Sequence, residues 1–323
     1  AMQAGLGIDN TQAGLLATAN LIGYLGLAVI GGVIASRYGP RMLIAAGLAV
    51  AGVGMVLTGL ADGIVTAAVW RTLTGIGSGA SNVPMMALLA AWFASRRRGQ
   101  AAGITTVGTS LAMIFAGSLV PLILSVYGPS GWRVSWFVFG AVTLLLATGA
   151  FLLLRNWPAE KGLRPMGAQP GDSVPRLGGG GLEWGRVYRS PKVWHLGLVY
   201  TAYGFSYIIY MTFFTKHLIV QGGYTQEAAG RLFMTVGWVS LPCGLLWGTV
   251  SDRIGRKGAL IIVYSIHAVA FTLFSVWPST PGFTISAILF GLSAWAIPAI
   301  MAAACGDVLG PRLAPAALGF ITL

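Results

Sequence analysis

GTVSDRIGRK, at Gly248–Lys257, is the stretch that decides the fold, because GGVIASRYGPR at Gly31–Arg41 repeats it 216 residues earlier. The main difference is Ser36, which stands where the later copy has Asp252. The pairs that match at this offset are Gly32 with Gly248, Arg37 with Arg253, Gly39 with Gly255 and Arg41 with Lys257. Parallel repeats of six-helix halves are an architecture of membrane transporters, so the repeat predicts two related helical bundles.

The amino-acid composition is that of a membrane protein. Of the 323 residues, 56% are hydrophobic and 9% are charged, and the mean hydropathy is +0.78. Soluble globular chains carry about 25% charged residues, so a water-soluble enzyme and a disordered chain are both excluded. Two cysteines are too few for a disulfide framework or a multi-cysteine metal site. The net charge of +12 is scattered between apolar runs, which favours membrane orientation over nucleic-acid binding.

The uncharged runs predict nine complete transmembrane helices, since about 20 mostly apolar residues cross a bilayer. The longest run, residues 258–306, holds two of them, because the turn residues at Pro278–Gly282 divide it. Residues 313–323 begin a tenth. The remaining runs are residues 10–36, 42–61, 72–95, 99–132, 134–154, 193–215 and 232–251.

The basic residues predict the orientation in a bacterial inner membrane. Sixteen Lys and Arg residues fall on one side of the predicted spans and three on the other, and Arg71 lies inside a span. The basic side is cytoplasmic by the positive-inside rule. It includes a long loop with ten charges and the run Gly178–Gly181. We therefore expect an N-terminal bundle at residues 1–154, a cytoplasmic linker at 155–192 and a C-terminal bundle at 193–323.

The repeated loop resembles the signature between the second and third helices of each half in the major facilitator superfamily (MFS). RTLTGIGSG at Arg71–Gly79 is similar to the family's fourth-helix motif, and GWRVSWFVFG at Gly131–Gly140 to the start of its sixth helix. LLRNWPAEKGLRPMG at Leu153–Gly167 and GDVLGPR at Gly306–Arg312 resemble a bacterial branch near the oxalate/formate and monocarboxylate carriers. The resemblance covers the whole chain.

The resemblance implies an all-α membrane fold of two pseudo-symmetric six-helix bundles, and secondary transport by alternating access. On that fold the chain begins at the end of helix one and stops inside helix eleven, so we expect a fragment that lacks most of helix one and helices eleven and twelve. A monomer is expected, as is common in the family. The alternatives are an MFS multidrug or sugar efflux carrier and, in other classes, a channel or a membrane-embedded enzyme. Catalytic, nucleotide and filter motifs are absent, so we expect no enzyme activity, cofactor or metal.

The resemblance further implies that the repeated loop is a conformational latch that favours one access state. Its glycines let helix ends approach closely, and its charges pair with acids, helix ends or lipid phosphates. Because Ser36 carries no charge, the first-half latch is expected to be weaker. The alternative is that the cations only set topology. The candidate latch residues are Gly32, Arg37, Gly39, Arg41, Gly248, Asp252, Arg253, Gly255, Arg256 and Lys257.

Arg71 is the strongest candidate for substrate binding. A charged side chain inside a span costs at least about 2.5–3.5 kcal/mol unless it is paired or hydrated. Its guanidinium is suited to two-point binding of an anion, or to modulating proton movement as the resemblance implies. The alternatives are a structural arginine bonded to carbonyls and one that extends to the outer surface. The residues that share its helix face or its depth are Gly75, Ser78, Asn82, Asn20 and Tyr24.

A stripe of hydroxyl groups on one predicted helix is the second candidate. The residues are Tyr200, Tyr203, Tyr207 and Tyr210, which share a helix face. Phenols can donate to a carboxylate and close over it, while packing alone is an equal alternative. His267 and Trp295 are further polar groups at depth, and His267 alone is more typical of a satisfied interior residue than of a proton relay.

The acidic residues complete the hypothesis. All eight, from Asp9 to Asp307, lie in loops or at span ends. A buried cation without a buried anion indicates that the anion arrives with the substrate. We therefore predict a carrier of a small organic anion, such as a monocarboxylate, moved alone, with a proton or in exchange. Its predicted partners are the lipid bilayer, that anion and protons, but not nucleic acid.

Overall fold

The computed structural model describes residues 2–94, 98–168, 184–309 and 313–322. Arg96, Arg97 and Arg312, which are among the sixteen basic residues counted on the cytoplasmic side, lie outside these ranges, and so does the run Gly178–Gly181. The helices are α1 Met2–Leu6, α2 Asn10–Tyr38, α3 Pro40–Gly59, α4 Ile64–Trp92, α5 Arg98–Tyr127, α6 Gly131–Leu153, α7 Trp184–Tyr188, α8 Pro191–Val220, α9 Gln226–Ser240, α10 Cys243–Ile254, α11 Arg256–Val276, α12 Thr280–Ser293, α13 Ala296–Leu309 and α14 Ala314–Ile321. Two short 3-10 helices, Gly128–Ser130 and Pro158–Lys161, join them.

Five helical stretches of the described residues are long and apolar enough to cross a membrane, and the α9–α10 pair, bent by 43°, adds a sixth. The five are Pro40–Gly59, Ile104–Leu153, Pro191–Val220, Arg256–Val276 and Thr280–Leu309. The predicted number of nine is larger, in part because one stretch holds both α5 and α6. The predicted division of residues 258–306 is confirmed, since α11 ends at Val276 and α12 begins at Thr280.

The chain divides into two compact units. Unit 1 comprises Ala1–Arg98, Ile123–Gly181 and Leu323, and unit 2 comprises Gly99–Leu122 and Leu182–Thr322. The first part of α5 is therefore grouped with the helices that follow the predicted linker.

In unit 1, α4 packs closely against α2 and α3 because glycines on two of its faces leave room for their backbones. A Cβ atom at Gly75 would overlap the carbonyl oxygen of Asn20 in α2, and one at Gly77 would overlap that of Gly47 in α3. Small residues permit this close approach of membrane helices. The glycines of RTLTGIGSG thus hold α4, and with it Arg71, in one register.

Two predicted spans of unit 2 are interrupted, one between α9 and α10 and one between α12 and α13. The second break falls at Ala294–Trp295, four residues before Pro298. Proline has no backbone N–H, so the carbonyl of Ala294 cannot receive its usual helical hydrogen bond. The hydroxyl of Tyr203 donates to that oxygen instead, at 2.9 Å. The indole N–H of Trp247 donates to the nearby carbonyl of Leu292 at 2.7 Å.

Candidate functional site

Arg71 stands about two turns into α4, and its nearest described partner is aromatic. Its guanidinium carbon lies over the ring of Trp136 in α6, 4.8 Å from the centroid. The indole N–H of Trp136 in turn donates to the sulfur of Met2 in α1, at 3.4 Å. A cation over the face of an indole is attracted by the negative face of the ring. Trp136 therefore contacts both the guanidinium on α4 and the first residue of α1.

Arg71 carries a positive charge that no described carboxylate balances. Among the described residues it forms neither an ion pair nor a side-chain hydrogen bond. Arg133 in the same unit is a contrast, because it donates to the carbonyl of Gly59 at 2.8 Å and pairs with Asp62 at 3.4 Å. Arg133 is thus held by the end of α3, whereas the Arg71 guanidinium has no polar partner among the described residues.

The residues predicted to share the site with Arg71 mostly serve the contact between α2 and α4. The amide of Asn20 donates to the backbone carbonyl of Arg71 at 3.0 Å. The hydroxyl of Ser78 donates to the carbonyl of Thr74 at 3.0 Å. Tyr24 is half-buried on α2, and Asn82 is exposed one turn after Ser78. The structure brings Asn20 to the backbone of Arg71 and leaves Asn82 apart from it, so their roles in binding stay predictions.

The tyrosine stripe on α8 separates into two kinds of side chain. Tyr203 and Tyr210 are buried, at 4% and 6% exposure, and their hydroxyls are engaged. Tyr210 shares a hydrogen bond of 2.8 Å with Ser286, which donates to the carbonyl of Ala270. Tyr200 and Tyr207 are half-buried and stack on either side of Tyr203, with centroid distances of 5.6 and 5.3 Å.

An aromatic group surrounds the break between α12 and α13. Trp295 packs edge-to-face on Tyr207, with the ring centroids 5.6 Å apart. Its indole nitrogen is buried and has no hydrogen-bond partner in the described part of the chain. His267 is also buried, stacked 5.3 Å from Phe290 and 6.1 Å from Tyr203. Sequence reasoning named His267 and Trp295 only as polar groups at depth, because a helix break cannot be seen in hydropathy.

The second copy of the repeated loop forms a network of charges in unit 2. The Arg256 guanidinium pairs with Asp252 one turn earlier and with Asp307 in α13, the latter at 2.9 Å, and it also donates to Ser251. Arg256 thereby joins the end of α10 and the start of α11 to α13. Sequence analysis did not name Asp307 or Ser251 as latch residues, although Asp307 lies within the quoted motif GDVLGPR.

The other predicted latch residues of this copy lie around that network. Gly255 has φ of 83°, a conformation that a side chain disfavours, and it makes the turn between the two helices. Arg253 and Lys257 are exposed, and a Cβ atom on Gly248 would meet nothing within 4 Å. The turn at Gly255 is therefore the one glycine position of this copy that the backbone itself requires.

The first copy of the loop is held by neutral groups. The Arg41 guanidinium donates to the carbonyl of Phe151 at the end of α6, its Nε at 2.9 Å, and the Arg41 backbone N–H donates to the side-chain oxygen of Asn156, also at 2.9 Å. Gly39 has φ of 82° and lies against Asn156. The surroundings of Gly32 and the side chain of Arg37 lie outside what the structure describes. Sequence analysis did not name Asn156 as a latch residue, although it lies within the quoted stretch LLRNWPAEKGLRPMG, three positions after the end of α6.

The family model described as Major Facilitator Superfamily matches residues 1–323. Three curated relatives are a probable sulfoacetate transporter of Cupriavidus necator (27% identical, 78% of this chain), a hexuronate transporter of Bacillus subtilis (26%, 80%) and an oxalate:formate antiporter of Oxalobacter formigenes (25%, 76%). The alignments cover 59%, 60% and 55% of those proteins, so the chain spans somewhat more than half of their length.

Solved structures share the fold. A D-xylose-proton symporter superposes with a TM-score of 0.67 at 17% identity, over 97% of this chain and 76% of that one. A nucleoside transporter superposes with a TM-score of 0.68 at 15% identity, over 99% of this chain and 80% of that one. The family match over the full chain, the repeated loop and these superpositions agree, and the chain belongs to the Major Facilitator Superfamily.

Proposed function

We propose that the protein containing this chain is a secondary transporter of small organic anions that works by alternating access. The unbalanced charge of Arg71 is the observation that carries the proposal. A guanidinium inside a span is costly without a partner, and a bound carboxylate supplies the partner through a two-point, charge-assisted hydrogen bond. The relatives named for sulfoacetate, hexuronate and oxalate support an anionic substrate.

The positions of the acidic residues support a substrate that itself carries the negative charge. The six described acids lie in loops or in the first or last turn of a helix. They are Asp9, Asp62, Glu160, Glu227, Asp252 and Asp307. None of them forms an ion pair with Arg71 among the described residues. We therefore favour exchange of anions, or symport in which the proton travels with the substrate carboxylate, as the coupling.

The loop contacts supply the conformational part of the proposal. Arg256 bridges acids on two helices of unit 2, while Arg41 caps the carbonyl end of α6 in unit 1. We infer that both contacts favour one access state, and that the cytoplasmic side carries them. The protein is then an inner-membrane carrier with the linker in the cytoplasm.

Transport in proteoliposomes tests the substrate class. The complete protein should show saturable, counterflow-competent uptake of oxalate, sulfoacetate or a hexuronate. Arg71→Gln should lower uptake about 10- to 150-fold, because a hydrogen bond to a charged group contributes about 1.5–3 kcal/mol. Arg71→Lys should recover part of it, since a lysine keeps the charge but not the planar fork.

Arg133→Gln is the matched control, because Arg133 is already paired with Asp62 and Gly59. Its uptake should stay within about twofold of wild type. Unchanged uptake and affinity in Arg71→Gln would reject the role of Arg71. Saturable uptake of neutral sugars or drugs with no anion uptake would favour the efflux-carrier alternative, and non-saturable flux would indicate a channel.

A further inference from the structure

We propose that Trp136 is a positioning residue for the anion-binding guanidinium of Arg71; the inference rests on the proposed function. The contact of 4.8 Å between the guanidinium carbon and the ring centroid joins α4 to α6. Because the ring supplies no hydrogen-bond acceptor, the five N–H donors of the guanidinium stay available to a carboxylate. The Arg71 nitrogens have no hydrogen-bond partner among the described residues and none of them is completely buried, so each keeps some exposed surface.

The ring itself is held in place from its other end. Its N–H donates to the sulfur of Met2, a weak acceptor, at 3.4 Å. Trp136 is half-buried, and this bond and the contact with the cation act on opposite parts of its ring system. Held in this way, the indole restricts the guanidinium to one side of α4. A long arginine side chain otherwise loses rotamer entropy when a ligand orders it, which weakens binding.

An apolar cluster lies beside this contact and lowers the local polarity. Leu16, Ala61 and Ala67 are buried, and Met2, Leu6, Ile8, Ile64, Ala68 and Trp70 pack against them. Trp70 precedes Arg71 directly in the chain. In such surroundings the attraction between a cation and an aromatic ring, and between a cation and a carboxylate, is stronger than in water. Trp136 therefore orients Arg71 where orientation has the largest effect.

Substrate kinetics of the complete protein test the inference. Trp136→Leu should raise KM for the transported carboxylate about 3- to 30-fold with kcat within about twofold, since cation–π contacts contribute about 0.5–2 kcal/mol. Trp136→Phe keeps a ring face and should recover most of the affinity. Phenylalanine also fills more of the vacated space than leucine does, so the coupling to Arg71 measured below is what separates a cation–π contact from simple packing.

A neighbouring pair on the same helix supplies the control. Trp132 lies 4.4 Å from the Arg133 guanidinium, and Arg133 is satisfied by Gly59 and Asp62. Trp132→Phe should leave KM unchanged. Coupling is measured in the Arg71→Lys background, where Trp136→Leu should have a smaller effect on KM than in wild type, because the two residues act through one interaction.

The outcomes separate this inference from the proposed function. If Arg71→Gln loses transport while folded Trp136→Leu keeps a wild-type KM, the positioning role is wrong and the anion site stands. If Arg71→Gln transports normally, the role of Arg71 in the proposed function is wrong, and the inference about Trp136 is wrong with it. If Trp136→Leu does not fold, Trp136→Phe in the Arg71→Lys background decides: additive effects on KM overturn the inference, and a coupled effect supports it.

Discussion

At the scale of single residues, four tyrosines with one helical spacing have different surroundings. Tyr203 fills a role created by Pro298, because its hydroxyl replaces the N–H that the proline lacks at Ala294. Tyr207 packs against Trp295, and its hydroxyl forms no hydrogen bond among the described residues. A hydroxyl that donates to the free carbonyl of a broken helix contributes to stability, whereas loss of a hydroxyl without such a bond has little effect on stability.

Substitution of Tyr203 by phenylalanine tests this difference. Tyr203→Phe leaves the Ala294 carbonyl buried without its donor, so we expect a loss of about 1–3 kcal/mol in the free energy of unfolding. Tyr207→Phe removes no described hydrogen bond and should change stability by less than about 0.5 kcal/mol. Thermal unfolding of both variants in one detergent provides the measurement. Equal melting temperatures for the two variants would contradict the assignment.

At the scale of elements, the two copies of the repeated loop use different chemistry, and the arginines that make their contacts stand at neighbouring rather than equivalent positions, since Arg256 aligns with Pro40 and Lys257 with Arg41. The later copy binds acids, since Arg256 meets Asp252 and Asp307. The earlier copy has Ser36 in place of that aspartate, and Arg41 instead meets the carbonyl of Phe151. An ion-pair network is weakened by salt, whereas a capped carbonyl is less sensitive. The two loops should therefore differ in their response to ionic strength.

Removal of the charge on Asp307 tests the network. Asp307→Asn should destabilise the protein by about 1 kcal/mol or less at low salt, because both acids are more than half exposed. The difference from wild type should shrink in 1 M salt, where the screening length is about 3 Å. Thermal unfolding at the two salt concentrations measures it.

Glu227→Gln is the matched control, since Glu227 pairs only with Arg231 on its own exposed helix surface, apart from any network. It should change stability by no more than about 0.5 kcal/mol. If Asp307→Asn behaves like this control at both salt concentrations, the ion pair between Arg256 and Asp307 does not stabilise the protein, and its proposed role as a latch is wrong.

At the scale of the whole molecule, the proposed orientation follows from the ends of α3. This helix of 20 residues spans about 30 Å, which matches the hydrocarbon core. Its first turn lies beside Asn156, where the predicted linker begins, and it ends before Leu60. The proposal therefore puts the linker and Leu60 at opposite membrane surfaces.

Labelling of introduced cysteines tests this orientation. Leu163 and Leu60 are both exposed, at 57% and 56%, and the native Cys243 and Cys305 are buried, so the background should be low. A membrane-impermeant maleimide added outside intact cells should label Leu60→Cys. It should label Leu163→Cys only after the membrane has been permeabilised. Labelling of Leu163→Cys in intact cells would place the linker outside and contradict the positive-inside assignment.

Much of the fold was predictable from the chain. Hydropathy and the repeated loop were enough for the membrane class and the family, because bilayer thickness imposes a length on every span and duplication leaves matching glycines and cations. The division of residues 258–306 at Pro278–Gly282 was also predictable, since proline and glycine act locally. The boundaries of the halves, the roles of the site residues and the substrate stay predictions.

Three-dimensional packing decided which side chains meet. The stacking of Arg71 on Trp136, the hydrogen bond of Arg41 to Asn156 and that of Tyr203 to Ala294 join residues that lie far apart in the chain. Periodicity reports which face of a helix a residue occupies, but not what the facing element offers there. For that physical reason the membrane fold and the unpaired cation inside a span were predictable from the sequence. Only the tertiary structure showed which side chains contact that cation and the helix ends.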